Sequence, residues 1–299
     1  MLKNIGVLLM AYGTPEREED IEPYLKGIFK GRQVPDQVLK KVLKKYKRIG
    51  FSPLKEITLK QCALMQEGLK ERGFNVNVSV GMKHWEPGIK TAVESLKKYG
   101  PDILIGIIAH PFSSIMGSGE YKEIFTENSR YLKSYFIDKW YCSDRLYEAW
   151  GEKINETAKS FAGKGFYTVF TSHGLPSSVE DAEYKKELAE FSSKLAEKIG
   201  IKEFCLAYQN GNHNDWYKPE VAEKLAELKG RGVKNVLLVP IGYISDSLET
   251  LYDMDVEYAE KAMSLGMVLR RAGCPNDSGQ LIDAMSEAVL DKLNELDGV

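Results

Sequence analysis

The chain has 299 residues, 43% of them apolar, which suits about two domains with a buried core in each. Its 41 basic and 43 acidic residues leave a net charge of −2, without the cationic excess that binding a phosphate backbone requires, so nucleic acid is not an expected partner. The early apolar run at 5–11 is far shorter than the roughly 20 residues of a membrane-spanning helix and ends in a turn, not a small-residue cleavage site. Cys62, Cys142, Cys205 and Cys274 form no C-x-x-C pair, so free thiols in a reducing cytoplasm are expected, with neither a disulfide framework nor a zinc knuckle.

In chain order, the strand-like run 5–11 leads into Tyr12-Gly13-Thr14-Pro15. From about 27 to 72 comes an insertion that reads as two helices around the loop Gly50-Phe51-Ser52-Pro53. Strand 74–82 is followed by His84-Trp85-Glu86-Pro87 and a helix, and strand 103–109 by a segment reaching Tyr121. The order then repeats: strand 167–172 leads into His173-Gly174-Leu175-Pro176, strand 203–208 into His213, Trp216, Pro219 and a helix, and strand 235–241 into a segment ending near Tyr252. Strand and helix alternating in this way predict an α/β fold of two similar Rossmann-like halves, each with a central parallel sheet of three or four strands flanked by helices. The halves are placed at 1–145 and 146–299, joined near 135–160, with a final helix at 277–296 packing back on either half. The insertion, after a first strand, is placed to act as a lid or cleft wall.

Tyr12 and His173 stand at matching positions before a Gly-x-Pro turn, so a two-fold repeat aims both rings at a shared crevice at the strands' carboxyl ends. Gly174 is expected to supply an unusual backbone angle that projects the imidazole. After strand 235–241, Glu249, Asp253 and Glu257 recur at i, i+4 and i+8, which on an α-helix stacks three carboxylates about 6 Å apart on one face. A structural alternative is a capping box made by Asp246 and Glu249. Imidazole plus carboxylate suits divalent iron, zinc or manganese. With no H-E-x-x-H and no cysteine cage, the pattern describes a site that a metal passes through. Gly117-Ser118-Gly119 lacks both the dinucleotide fingerprint and a P-loop lysine.

Six segments together resemble the ferrochelatases, which insert ferrous iron into a porphyrin: 10–15, 50–54, 81–84, 171–176, 208–210 and 249–253. The resemblance implies a chelatase-like fold around a porphyrin cleft, with His173 and Glu249 as catalytic and metal-site residues and Asp253 and Glu257 as the acidic line leading outward. It also implies that Tyr12 faces the opposite side of the macrocycle, as in the branch acting on coproporphyrin. Lys30, Arg32, Lys45, Ser52 and Tyr121 then fall near the substrate carboxylates, with lysine at two places where arginine is common, and Phe51, Ile28 and Trp216 become apolar contacts. Two departures stand out: Ser247 occupies a place where the family usually has histidine, and His110-Pro111 reverses the usual order. Ferrous iron enters as substrate, no resident cofactor or iron-sulfur cluster is expected, and a cytoplasmic monomer fits the implied role in haem biosynthesis. A protoporphyrin enzyme and a noncatalytic haem or porphyrin carrier are the alternatives.

Overall fold

In the computed structural model, which describes residues 3–210 and 215–297, the repeat is a repeat of whole sheets. Strands β1 (Asn4–Ala11), β2 (Asn75–Met82), β3 (Ile103–Ile108) and β4 (Ser134–Ile137) form a parallel sheet in the order β2-β1-β3-β4. Strands β5 (Tyr167–His173), β6 (Phe204–Gln209), β7 (Asn235–Val239) and β8 (Val268–Arg271) form a second with the equivalent order β6-β5-β7-β8. The opening strand of each half is therefore central, and its C-terminal end carries Tyr12 or His173. Residues Val7 to Met10 are fully buried, as expected of a central parallel strand covered by helices on both faces. The second units match in detail: the Met82 N–H donates to the Pro87 carbonyl at 2.7 Å and the Tyr208 N–H to the Pro219 carbonyl at 2.8 Å. Each such clasp sends the chain into a helix, Ile89–Tyr99 in the first half and Val221–Gly230 in the second. His213, in the corresponding loop, lies outside the described residues.

Helix α1 (Ile21–Ile28) leads into the insertion, which holds the two expected helices, α2 (Asp36–Ile49) and α3 (Leu54–Glu71). Gly50 ends α2 with φ 72°, and Phe51 shares that left-handed conformation, uncommon for a bulky residue. Only α1 and α2 build a separate wall, with an apolar cluster of Ile21, Tyr24, Leu25, Val34 and Tyr46 that Phe51, Trp85 and the second half's Leu248 pack against. Helix α3 instead covers β2 and packs on the last helix, Gly279–Asp297.

That last helix lies between α3 and a helix at Asp144–Ala158, where a connection was expected; a division at 145 would fall in its first turn. Trp150 of this connecting helix is fully buried in a core cluster that includes Val7 and Leu9 of one half and Phe170 and Leu237 of the other. Arg72 pairs with Asp283 at 2.7 Å and Lys60 with Asp277, fastening the last helix to the first half. The acidic segment Glu249–Tyr258 is a π-helix, not the α-helix its spacing predicts; its i→i+5 bonding widens each turn, a geometry often found at functional sites. No helix among the described residues is long and apolar enough to cross a membrane.

Candidate active site

Strand β5 is buried up to Ser172, and the next side chain, His173, emerges into solvent. Its Nδ1 is 2.6 Å from the Gly174 carbonyl, and because a carbonyl oxygen only accepts, a neutral ring carries its proton on Nδ1. Nε2 is then the nitrogen with an open lone pair. The Trp216 ring lies 5.4 Å from the imidazole, tilted by 60°, and the Trp216 backbone forms an antiparallel bridge with Pro176. Below the ring, the Ser172 hydroxyl meets Tyr184 Oη at 2.5 Å, and that phenol donates to the His173 carbonyl at 3.0 Å.

Gly174 is required for space and not for an unusual angle, contrary to expectation: its φ is not left-handed, but a Cβ there would sit 1.9 Å from Asn210 Oδ1. At the matching turn, Gly13 does have a positive φ of 94°, and a Cβ would also come within 2.9 Å of Trp85.

Glu249 opens the π-helix, and its Oε2 accepts the Ser247 hydroxyl at 2.7 Å. The Asp246–Glu249 capping box does not form. Asp246 is instead held by Arg271 at 2.9 Å and by the Asn276 amide at 2.8 Å. Farther along, Asp253 Oδ1 is 2.5 Å from Lys45 Nζ, and Glu257 Oε2 is 3.7 Å from the same ammonium. Lys45 also lies 4.8 Å from the centroid of the Tyr252 ring. The structure thus places Lys45, a residue of the wall helix α2, inside the acid row. Burial, opposed by Lys45 and aided by Glu249 and Glu257, pushes the Asp253 carboxyl up to about 6. Burial alone would lower the Lys45 ammonium, but Asp253 and Glu257 outweigh it and the net direction is upward.

The facing edge of the first half gathers a second set. Tyr12 is 41% exposed, yet walled enough that burial, followed by the charges of Glu249 and Glu120, raises its phenol to about 12. Its ring lies 4.6 Å from His84, whose imidazole is lowered to about 4 by burial and Lys83. Lys83 sits near the rings of Tyr121 (5.1 Å) and Tyr12 (5.9 Å) and pairs with Glu120, which Lys30 approaches to 3.6 Å. Lys83 and Glu120 did not stand out in the sequence as candidates; the available signal is that Lys83-His84 directly follows β2 at the carboxyl edge of the sheet. Arg32 is exposed and donates to the Phe29 carbonyl at 3.2 Å. Ser52 accepts the Leu54 N–H at 3.3 Å in the turn before α3. Phe51 stacks on Tyr46 at 5.7 Å, and Ile28 packs on the α1–α2 cluster.

The two edges face each other electrostatically. The Glu249 carboxylate is felt by Tyr12, Tyr24 and Tyr46 of the first half, and His173 by His110 at the end of β3. Among the described residues, no three histidine, cysteine or acidic side chains close into a group that could hold a metal. The second half offers single donors: an imidazole nitrogen, a carboxylate oxygen held by a serine, and two further acids shared with a lysine.

The ferrochelatase family model matches residues 4–293. Coproporphyrin III ferrochelatases from Geobacillus sp. (strain WCH70) and Bacillus subtilis (strain 168) are 30% and 31% identical to this chain, each match covering 97% of it and 98% of the relative. A ferrochelatase from Acidobacterium capsulatum is 29% identical over 99% of this chain and 97% of its own length. Among solved structures, SirB from Bacillus subtilis with Fe3+ superposes with a TM-score of 0.63 at 13% identity, covering 99% of this chain and 98% of that one. The sirohydrochlorin chelatase SirB from Bacillus subtilis subspecies spizizenii in complex with cobalt gives 0.58 at 15% identity, with 99% and 97% covered. At such identities the likeness establishes a common fold.

Proposed function

This chain belongs to the ferrochelatase family, and from that premise we propose that it inserts ferrous iron into a porphyrin in haem biosynthesis, with coproporphyrin III as the preferred substrate. What supports the reading is His173 at the carboxyl end of β5, its Nε2 open, in the same half as the carboxylate row that begins at Glu249, whose charge reaches Tyr12 of the other half.

Metal insertion needs two pyrrole protons removed and nitrogen lone pairs exposed that a flat conjugated ring hides. A cleft that binds a bent ring better than a flat one lowers the barrier, because it favours the transition state over the substrate. In this scheme His173 Nε2 accepts a pyrrole proton or ligates incoming iron, and Glu249 is its partner. Asp253 and Glu257 exchange water for carboxylate on the hydrated ion and offer protons a way out. Tyr12 meets the other face of the macrocycle, while Lys30, with Lys83 beside it, attracts the substrate carboxylates. The wall built by α1 and α2, with Phe51 and Ile28, closes over the ring opposite Trp216. Arg32 and Ser52 lie on the rim of that wall. The enzyme acts as a cytoplasmic monomer without a resident cofactor or iron-sulfur cluster.

The test compares coproporphyrin III and protoporphyrin IX side by side, anaerobically, with ferrous iron and catalytic amounts of protein. Repeated turnover with a higher kcat/KM for coproporphyrin supports the proposal, and stoichiometric spectral change alone indicates a carrier. His173→Ala should lose more than about a hundredfold in kcat; wild-type turnover in that variant removes the imidazole from the scheme.

A further inference from the structure

Ser247 makes a contact that the scheme above leaves unused. Its side chain is buried, 5% exposed, and its hydroxyl donates to Glu249 Oε2 at 2.7 Å. A serine has one side-chain rotor, so a donor held on a fixed backbone sets where that carboxylate oxygen lies. The backbone is fixed: the Ser247 N–H donates to Thr250 Oγ1 at 2.9 Å, and that hydroxyl faces Asp246 Oδ1 at 3.2 Å. Asp246 is locked by Arg271 and Asn276, and the Asn276 carbonyl accepts Gln61 Nε2 from α3 at 2.6 Å. The mount of Glu249 therefore runs from one half of the molecule to the other through partly buried polar contacts.

We propose that Ser247 is a positioning residue for metal transfer: by holding Oε2 in a hydrogen bond it fixes the orientation in which the Glu249 carboxylate meets the incoming divalent cation, with Oε1 keeping both of its lone pairs for the ion. This rests on the assignment of Glu249 above and adds how its carboxylate is aimed. An untethered glutamate turns about its own rotors; the tethered one keeps one orientation, which reduces the ordering left to do when the ion arrives.

The test is a cycle of Ser247→Ala, Ser247→Thr, Glu249→Gln and Ser247→Ala with Glu249→Gln, assayed anaerobically with ferrous iron and coproporphyrin varied separately. Ser247→Ala should lower kcat/KM for iron about tenfold, the size expected for a lost charge-assisted hydrogen bond, and leave the KM for porphyrin unchanged. Ser247→Thr should return to within about twofold of wild type, and Ser247→Ala should cost nothing further in the Glu249→Gln background. Titration of porphyrin-free protein with cobalt(II) should show weaker binding in Ser247→Ala. Wild-type iron kinetics in Ser247→Ala, or an equal loss in the Glu249→Gln background, overturns the inference while leaving the proposed function standing. Equal activity of Glu249→Gln and wild type overturns it through Glu249, and absence of wild-type turnover removes the functional reading itself.

Discussion

Replacing Lys45 with methionine separates two roles that one ammonium cannot fill at once. The resemblance to ferrochelatases puts residue 45 at the substrate carboxylates, whereas the structure puts its Nζ 2.5 Å from Asp253 and 3.7 Å from Glu257. Methionine keeps the length and removes the charge, so burial and the charges of Glu249 and Glu257 act on Asp253 unopposed. Asp253 already titrates at about 6, above its ordinary 3.8, so the folded state holds a proton that the unfolded chain has released between those values, and stability falls as pH rises through that window. Without Lys45 the window extends upward. The added cost from Asp253 is capped by protonating the carboxyl, at about 1.4 kcal/mol per pH unit above 6. Ser247 and Glu249 are untouched, so the change in the metal path is confined to an ammonium lost and a proton held on Asp253. The variant should therefore be about 1 kcal/mol less stable at pH 7, roughly twice that at pH 8 and near wild type at pH 6 by urea denaturation. Its KM for ferrous iron at pH 8 should drop about three- to tenfold, since the ion no longer competes with an ammonium, with the KM for coproporphyrin unchanged. A raised porphyrin KM with unchanged iron kinetics would refute this reasoning and restore Lys45 to the substrate carboxylates.

Gly174→Ala should destabilise the fold by about 2–3 kcal/mol, because the new methyl group would meet the amide of Asn210, itself 1% exposed and bonded to the Tyr217 carbonyl. A denaturation midpoint within error of wild type would show that the turn yields. Acid should weaken the protein between pH 6.5 and 4: burial lowers His110 to about 4, so the unfolded state takes up a proton the folded state refuses and stability falls with pH across that window. Its contribution is at most about 3 kcal/mol, His84 adds in the same direction and Asp253 partly offsets both, so His110→Gln should reduce the slope; an unchanged slope would rule the imidazole out. Maleimide at pH 7.5 should label the native protein once, at exposed Cys142, since burial raises the Cys62 and Cys205 thiols to about 11 and Cys274 is enclosed. Labelling of two or more thiols before unfolding would contradict the packing.

The repeat is legible in the sequence because two buried strands run into the same Gly-x-Pro turn, and a local pattern of that kind survives folding unchanged. Strands β4 and β8 were not, since four-residue edge strands carry too little alternation to register. The acid row is visible from its spacing, but not its helix type: moving from i→i+4 to i→i+5 bonds leaves the side-chain order intact. Asp246 beside Glu249 reads as a cap until Arg271 and Asn276, 25 and 30 residues away, claim its carboxylate. The partner of Lys45 is 208 residues distant, and the reason for Gly174 is an amide just past the end of the neighbouring strand. Such facts belong to the tertiary arrangement and have no one-dimensional trace.

The apolar interior that joins the halves has a mechanical consequence. Val7, Leu9, Trp150, Phe170 and Leu237 share one continuous cluster, whereas Ile21, Tyr24, Leu25, Val34 and Tyr46 form another of their own. The two sheets cannot part like jaws without tearing that common interior, whereas the flap made by α1 and α2 is held by Trp85, by Leu248 and by the hydrogen bonds of Tyr24 to the Gly13 carbonyl and of Tyr46 with Thr14. The flap's charged tether to the opposite side is Lys45. Because His173 and Glu249 both belong to the second half, the distance between imidazole and carboxylate does not depend on where that flap stands.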